Sequence, residues 1–193
     1  SLDPYDLASL STAQFLGLGT GQVAALTALQ VAAFETADLA SLSTAQMRGL
    51  STANIAALEA YQVGALNTEQ AAALTTAQLR AIEAADIGSL TTASVAALNT
   101  AQVRVLTTDQ LVSLTAEQLA GMGTHQIAAL TSVQMAVIDS SLLSSLGTSQ
   151  FSGMSTQQIA ELRVWAVVHA PIGLHAQQLT VFVGSQFPVH PER

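Results

Sequence analysis

Four histidines, His125, His169, His175 and His190, are the side chains best suited to hold a metal ion or to move a proton near neutral pH. His169, His175 and His190 stand near the C-terminal end, separated by six and then fifteen residues. Zinc ligands come in tighter pairs, so this spacing matches no ligand pattern and ordinary surface or turn positions account for it better. The thirteen acidic residues are scattered, and Asp6, Asp38, Glu69, Asp86, Asp109 and Glu117 fall where helices begin. There a carboxylate is explained by the positive end of the helix dipole, without any role in acid–base chemistry. The serines occupy capping positions, and no Gly-x-Ser-x-Gly elbow presents one as a nucleophile. Gly17-Leu18-Gly19-Thr20-Gly21 is glycine-rich, but no basic residue beside it would hold a phosphate. Cysteine is absent, which removes disulfides, thiol nucleophiles and thiolate metal sites. The sequence therefore assigns no catalytic, cofactor-binding or metal-ligating residue, and the expectation is a protein that is not an enzyme and carries no cofactor.

Charge narrows the partners. There is no lysine, and five arginines face thirteen acidic residues, for a net charge of −8. Such a chain repels phosphate backbones and anionic lipid surfaces, so neither nucleic acid nor membrane insertion is expected. No run of about 18 apolar residues could span a bilayer. The N-terminal Ser-Leu-Asp-Pro-Tyr-Asp lacks the basic start and apolar stretch of a signal peptide. Because the pattern described next is already running at both ends, the chain is expected to be a piece of something longer. Arg48, Arg80 and Arg104 share one position in that pattern. A solvated face explains them more simply than a row of anion-binding residues.

What must position these groups is a repeat. A large apolar residue returns every eight positions from Leu2 to Leu162, as in Leu58, Leu66, Leu74 and Ile82. A second apolar series runs five residues behind it, as in Val63, Leu79 and Ile87, with Ala71 its one small member. Spacings that alternate five and three cannot collect on one face of a strand. On one continuous helix, eight residues overshoot two turns by about 80°, and the apolar stripe would wind away from any partner.

A short helix that restarts in every unit explains each position. With Thr75 as N-cap, Gln78 falls at the third helical position and completes a capping box. Leu74 and Leu79 then occupy the two positions of a hydrophobic staple, which is the five-residue spacing. Most cap positions carry Ser, Thr, Asn, Asp or Gly, the preferred types, and Glu35, Glu59 and Glu83 are the exceptions. Asp3-Pro4 fits the same frame, with proline at the first helical position. A lone octad buries too little to offset the ordering of its backbone, so each must complete its core against neighbours, as solenoid units do. Small residues such as Ala24, Ala25, Gly49, Ala56, Ala57, Gly64 and Gly88 suit close approach between helices. The 24-residue recurrence of Glu35, Glu59 and Glu83 hints at three octads per turn without fixing the number.

The fold class expected is therefore all-α: a solenoid or superhelix of tandem eight-residue units, each a short capped helix, over residues 1–162. After Leu162 the register breaks at residues 163–173 and resumes displaced by four, with Leu174, Leu179 and Phe182. Residues 163–193 are expected to be degenerate repeats forming a C-terminal capping segment, with Trp165, Phe182 and Phe187 covering the end of the stack. A short strand over 179–183 is the alternative.

The unit Leu-Thr-Thr-Ala-Gln-Val-Ala-Ala resembles octapeptide arrays of very large bacterial surface or secreted proteins, some labelled haem-utilisation or adhesin-like. The resemblance spans residues 2–162. It implies a repeat scaffold or spacer, placed outside the cell or on its surface, with another protein as partner. Haem binding finds no support, since Met47, Met122, Met135 and Met154 all sit in apolar core frames. The alternative is a ligand- or ice-binding repeat module, suggested by the threonine column Thr12, Thr20, Thr36, Thr44 and onward.

Overall fold

A computed structural model describes residues 11–160 and 162. Asp3-Pro4, the tail histidines, Trp165 and the alternative strand at 179–183 lie outside them. Among the described residues the chain forms eighteen short helices, from Thr12–Leu16 to Thr148–Ser152, and residues 156–160 are helical as well. The helices are four to six residues long, as in Ala84–Ile87 and Thr76–Ala81. A helix this short is not stable alone. It is stable here because both of its ends and its one apolar face are satisfied by neighbours.

Each helix begins as the octad frame predicts. Thr75 has extended backbone (φ −69°, ψ 159°) and precedes the helix Thr76–Ala81. Its hydroxyl oxygen accepts from the Gln78 N–H at 3.2 Å, and the Gln78 side-chain oxygen accepts from the Thr75 N–H at 2.8 Å. At Gly19, Gly123 and Gly147, which have no side chain, only the glutamine half of this box forms. At the other end Ile82, the next member of the eight-residue series, is again extended (φ −63°, ψ 133°). The apolar residue and the cap after it form a two-residue extended corner, and the chain changes direction there in every unit.

The two apolar series meet in one continuous core. The inner series, Val23, Leu39, Ile55, Leu79 and their equivalents, is fully buried from Phe15 to Met135, and even the small Ala71 has no exposed surface, while Phe151 and Ile159 near the end of the described residues are half-buried. The outer series is almost as deep from Phe34 onward, while Leu18 and Leu26 in the first described octads are only half-buried. Phe15 and Phe34 meet edge to face in the first turn, ring centroids 4.7 Å apart.

Helices pack against the third helix along the chain. Thr52–Ala56 lies on Thr76–Ala81, and Thr92–Ala96 on Ala116–Gly121. Side-chain bonds between turns, however, most regularly span 28 residues, or three and a half octads. One turn therefore takes between three and four octads rather than the three suggested by the glutamate recurrence. An octad lies over the junction between two octads of the turn below, as bricks do in a wall. Equivalent positions return to the same side only after about two turns.

Candidate functional site

The polar groups with fixed geometry are the glutamines at the third helical position. Gln78 sits on the first turn of its helix, where the cap bond fixes its oxygen. That orients its amide nitrogen toward the preceding turn, where it donates to the Met47 carbonyl at 2.8 Å and the Leu50 carbonyl at 2.7 Å. The Leu50 carbonyl belongs to the extended corner and lies outside the helix ladder. The Met47 carbonyl also accepts the Leu50 N–H, so both of its lone pairs are used. One side chain thus caps the start of its own helix and the end of a helix one turn earlier. The network also settles which amide atom is oxygen, since an N–H faces one end and carbonyls the other.

The arrangement repeats along the molecule. Gln62, Gln70, Gln102, Gln134, Gln150 and Gln158 each donate to carbonyls 28 and 31 residues earlier. Asn54, one methylene shorter, reaches only the carbonyl 28 back, that of Leu26, at 3.0 Å. Ser94 does the same with its hydroxyl, donating to Leu66 at 2.9 Å. The result is a ladder of buried amides parallel to the solenoid axis. Among the described residues no buried side-chain polar atom lacks a hydrogen-bond partner.

Sequence reasoning found the capping half of this role and missed the ladder. The signal was present: a capping box accepts Glu or Gln alike, yet this column never carries Glu. Only an amide keeps the accepting oxygen and adds two donors. Asp86 and Leu142 interrupt the ladder, and neither side chain donates to the preceding turn. Asp86→Gln should supply the missing bonds to Leu58 and Ile55. It is expected to raise unfolding free energy by roughly 1 kcal/mol in urea titration, with the m-value unchanged.

The remaining candidates do not converge. His125 is exposed at the second position of the helix Thr124–Ala129. Among the described residues no group of three His, Cys, Asp or Glu side chains could hold a metal ion. Arg48, Arg80 and Arg104 are exposed in the last turns of their helices, and the Arg48 Nε donates to the Ala73 carbonyl of the next turn at 3.0 Å. Asp38 is buried in the glutamine column and accepts from the Thr12 hydroxyl at 3.2 Å. Glu117 is fully exposed, and its own backbone N–H and the Thr115 hydroxyl hold its carboxyl below the usual carboxylate range. The four methionines are core residues. Thr92 and Thr124 point their methyls toward Gly121 and Gly153 of the following turn, and the Thr20 carbonyl faces Gly49. Thr92 and Thr124 thus meet small residues of staggered octads, while Thr12, Thr20, Thr36 and Thr44 are exposed. No described helix is long and apolar enough to cross a membrane.

No curated protein matches this sequence. The family model of the ALTTAQ repeat matches residues 1–36, 31–68 and 79–116, more than half of the chain. Residues 73–78 read Ala-Leu-Thr-Thr-Ala-Gln, and they carry the corner, the cap and the ladder glutamine described above. On that match, and on the same octad frame running through Leu162, the chain belongs to the ALTTAQ repeat family.

Proposed function

We propose that this chain is a non-enzymatic structural scaffold or spacer that engages other proteins and forms part of a bacterial surface or secreted protein. One observation carries the reading: the groups that recur in every octad are spent on the fold itself. Cap hydroxyls hold helix starts, and ladder amides hold one turn to the next. A molecule whose repeated chemistry is consumed internally is suited to setting a distance and presenting a long, regular surface. The excess of acidic residues keeps that surface away from nucleic acid and anionic lipid.

A spacer should lengthen by units without changing its cross-section. Inserting seven octads, residues 68–123 duplicated in frame, adds about two turns. Small-angle scattering is expected to give a longer rod with the same cross-sectional radius, whereas a more globular envelope would end the spacer reading. Surface placement has a separate test: protease added to intact producing cells should cleave the protein without lysis. The ice-binding alternative rests on the exposed threonines, and the stagger between turns weighs against it. Thermal hysteresis in a freezing assay would support it over the scaffold.

A further inference from the structure

We propose that the solenoid carries a built-in joint at residues 83–98, where two cooperative blocks of octads part from one another. The ladder marks the place. Most of its rungs donate to at least two carbonyls of the turn before, as Gln70, Gln78, Gln102 and Gln110 do. Asp86 makes no rung, and Ser94 in the next octad makes a single one, to the Leu66 carbonyl. Asn54 and Leu142 also fall short, but each stands between complete rungs: Gln46 and Gln62 for the first, Gln134 and Gln150 for the second. Between Gln46 and Gln158, octads 86 and 94 are the one place where two consecutive rungs are deficient.

The same two octads are also poorly secured within themselves. Neither forms a capping box. Glu83 makes no side-chain cap bond, and the helix that follows it, Ala84–Ile87, has only four residues. Asp86 is half-buried where Gln78 and Gln102 are buried, so water reaches this part of the ladder. The corner carbonyl of Leu58, which a glutamine at position 86 would cap, accepts no bond among the described residues. Across this seam Ala84–Ile87 lies on Ala60–Gly64 and Thr92–Ala96 on Thr68–Ala73, held mainly by apolar packing. In a repeat array stability is a sum over units and their interfaces, so adjacent weak interfaces divide it into blocks that open separately. A spacer with such a joint can bend or yield at one place while the octads on either side stay folded. That consequence rests on the spacer reading; the joint itself does not, so either can fail without the other.

The test is hydrogen exchange of the 193-residue chain, followed by mass spectrometry at rising urea below the main transition. Peptides from residues 43–82 and from residues 99–135 are expected to fall into two groups that lose protection at different urea concentrations. The change from one group to the other should lie within residues 83–98. Asp86→Gln combined with Ser94→Asn supplies the missing rung and the donors and acceptors of both boxes. Asn54 shows that an asparagine makes a box and a rung in this column. Asp86→Gln alone mends only the first of the two octads. In the double variant the two groups should merge, and amides of residues 83–98 should exchange at least about tenfold more slowly. One common group in the wild type would overturn the proposal. So would a change of group at any other octad, such as that of Leu142, or a double variant that keeps the two groups.

Discussion

Gln78→Glu is expected to destabilise the solenoid by about 3–5 kcal/mol, close to the whole stability of many domains. The substitution keeps the capping oxygen, so the start of the helix Thr76–Ala81 is preserved. What changes is the other end of the side chain. A donor between the Met47 and Leu50 carbonyls becomes a carboxylate facing two oxygens, at a residue 2% exposed. The corner carbonyl of Leu50 loses its partner, and a buried charge gains none. The effect carries its own pH signature. Burial against carbonyl oxygens raises the folded-state pKa of the new carboxyl above its unfolded value. Raised pKa means that stability is greatest below the unfolded pKa and declines as pH rises through the folded one. The variant should therefore recover much of its loss near pH 4, where a protonated carboxyl can donate to Leu50. Thermal melts at pH 4 and pH 7 check this. Equal losses at both would show that shape, not hydrogen bonding, sets the cost.

Gly88→Ala is the second large effect, expected to cost about 3 kcal/mol. A β-carbon there would stand 2.5 Å from the Ser113 carbonyl oxygen of the next turn, and backbone on both sides leaves nothing to rotate away. Gly64 is the milder equivalent, 3.1 Å from the Ser89 carbonyl. Gly153→Ala meets instead the γ2 methyl of Thr124, a side chain with another rotamer available. Its cost should be smaller and should fall further when combined with Thr124→Ser. Urea denaturation of the four variants ranks them. If Gly153→Ala proved costlier than Gly88→Ala, close backbone approach would not be what glycine serves at these sites.

The parts of this fold legible in the sequence are those written inside one octad. Thr75, Gln78, Leu74 and Leu79 specify cap, box and staple within six residues, and the structure has each where the spacing puts it. The contact between turns was not legible, because every octad carries the same two apolar positions and none marks where a turn ends. Glu35, Glu59 and Glu83 recur at 24 residues and suggest three octads per turn, but in the structure they only stand at cap positions. The ladder was hidden for a related reason. The capping role alone explains a glutamine at position 78, so nothing local demanded a second partner 28 residues away. Gly49, Gly64 and Gly88 were legible as close-packing positions, though not the backbone carbonyls they approach.

Among the described residues the side-chain ladder never reaches back more than 31 residues. A nascent chain leaving a ribosome tunnel or a translocation channel would thus find the ladder partners of each arriving octad within the previous few dozen residues. The finished portion can serve as template for each arriving unit, and an earlier carbonyl such as that of Leu50 waits only for a glutamine about one turn downstream. Low sequence separation favours fast folding, and growth by accretion keeps little apolar surface uncovered at any moment. Such a polypeptide could be made very long without a matching rise in its risk of misfolding.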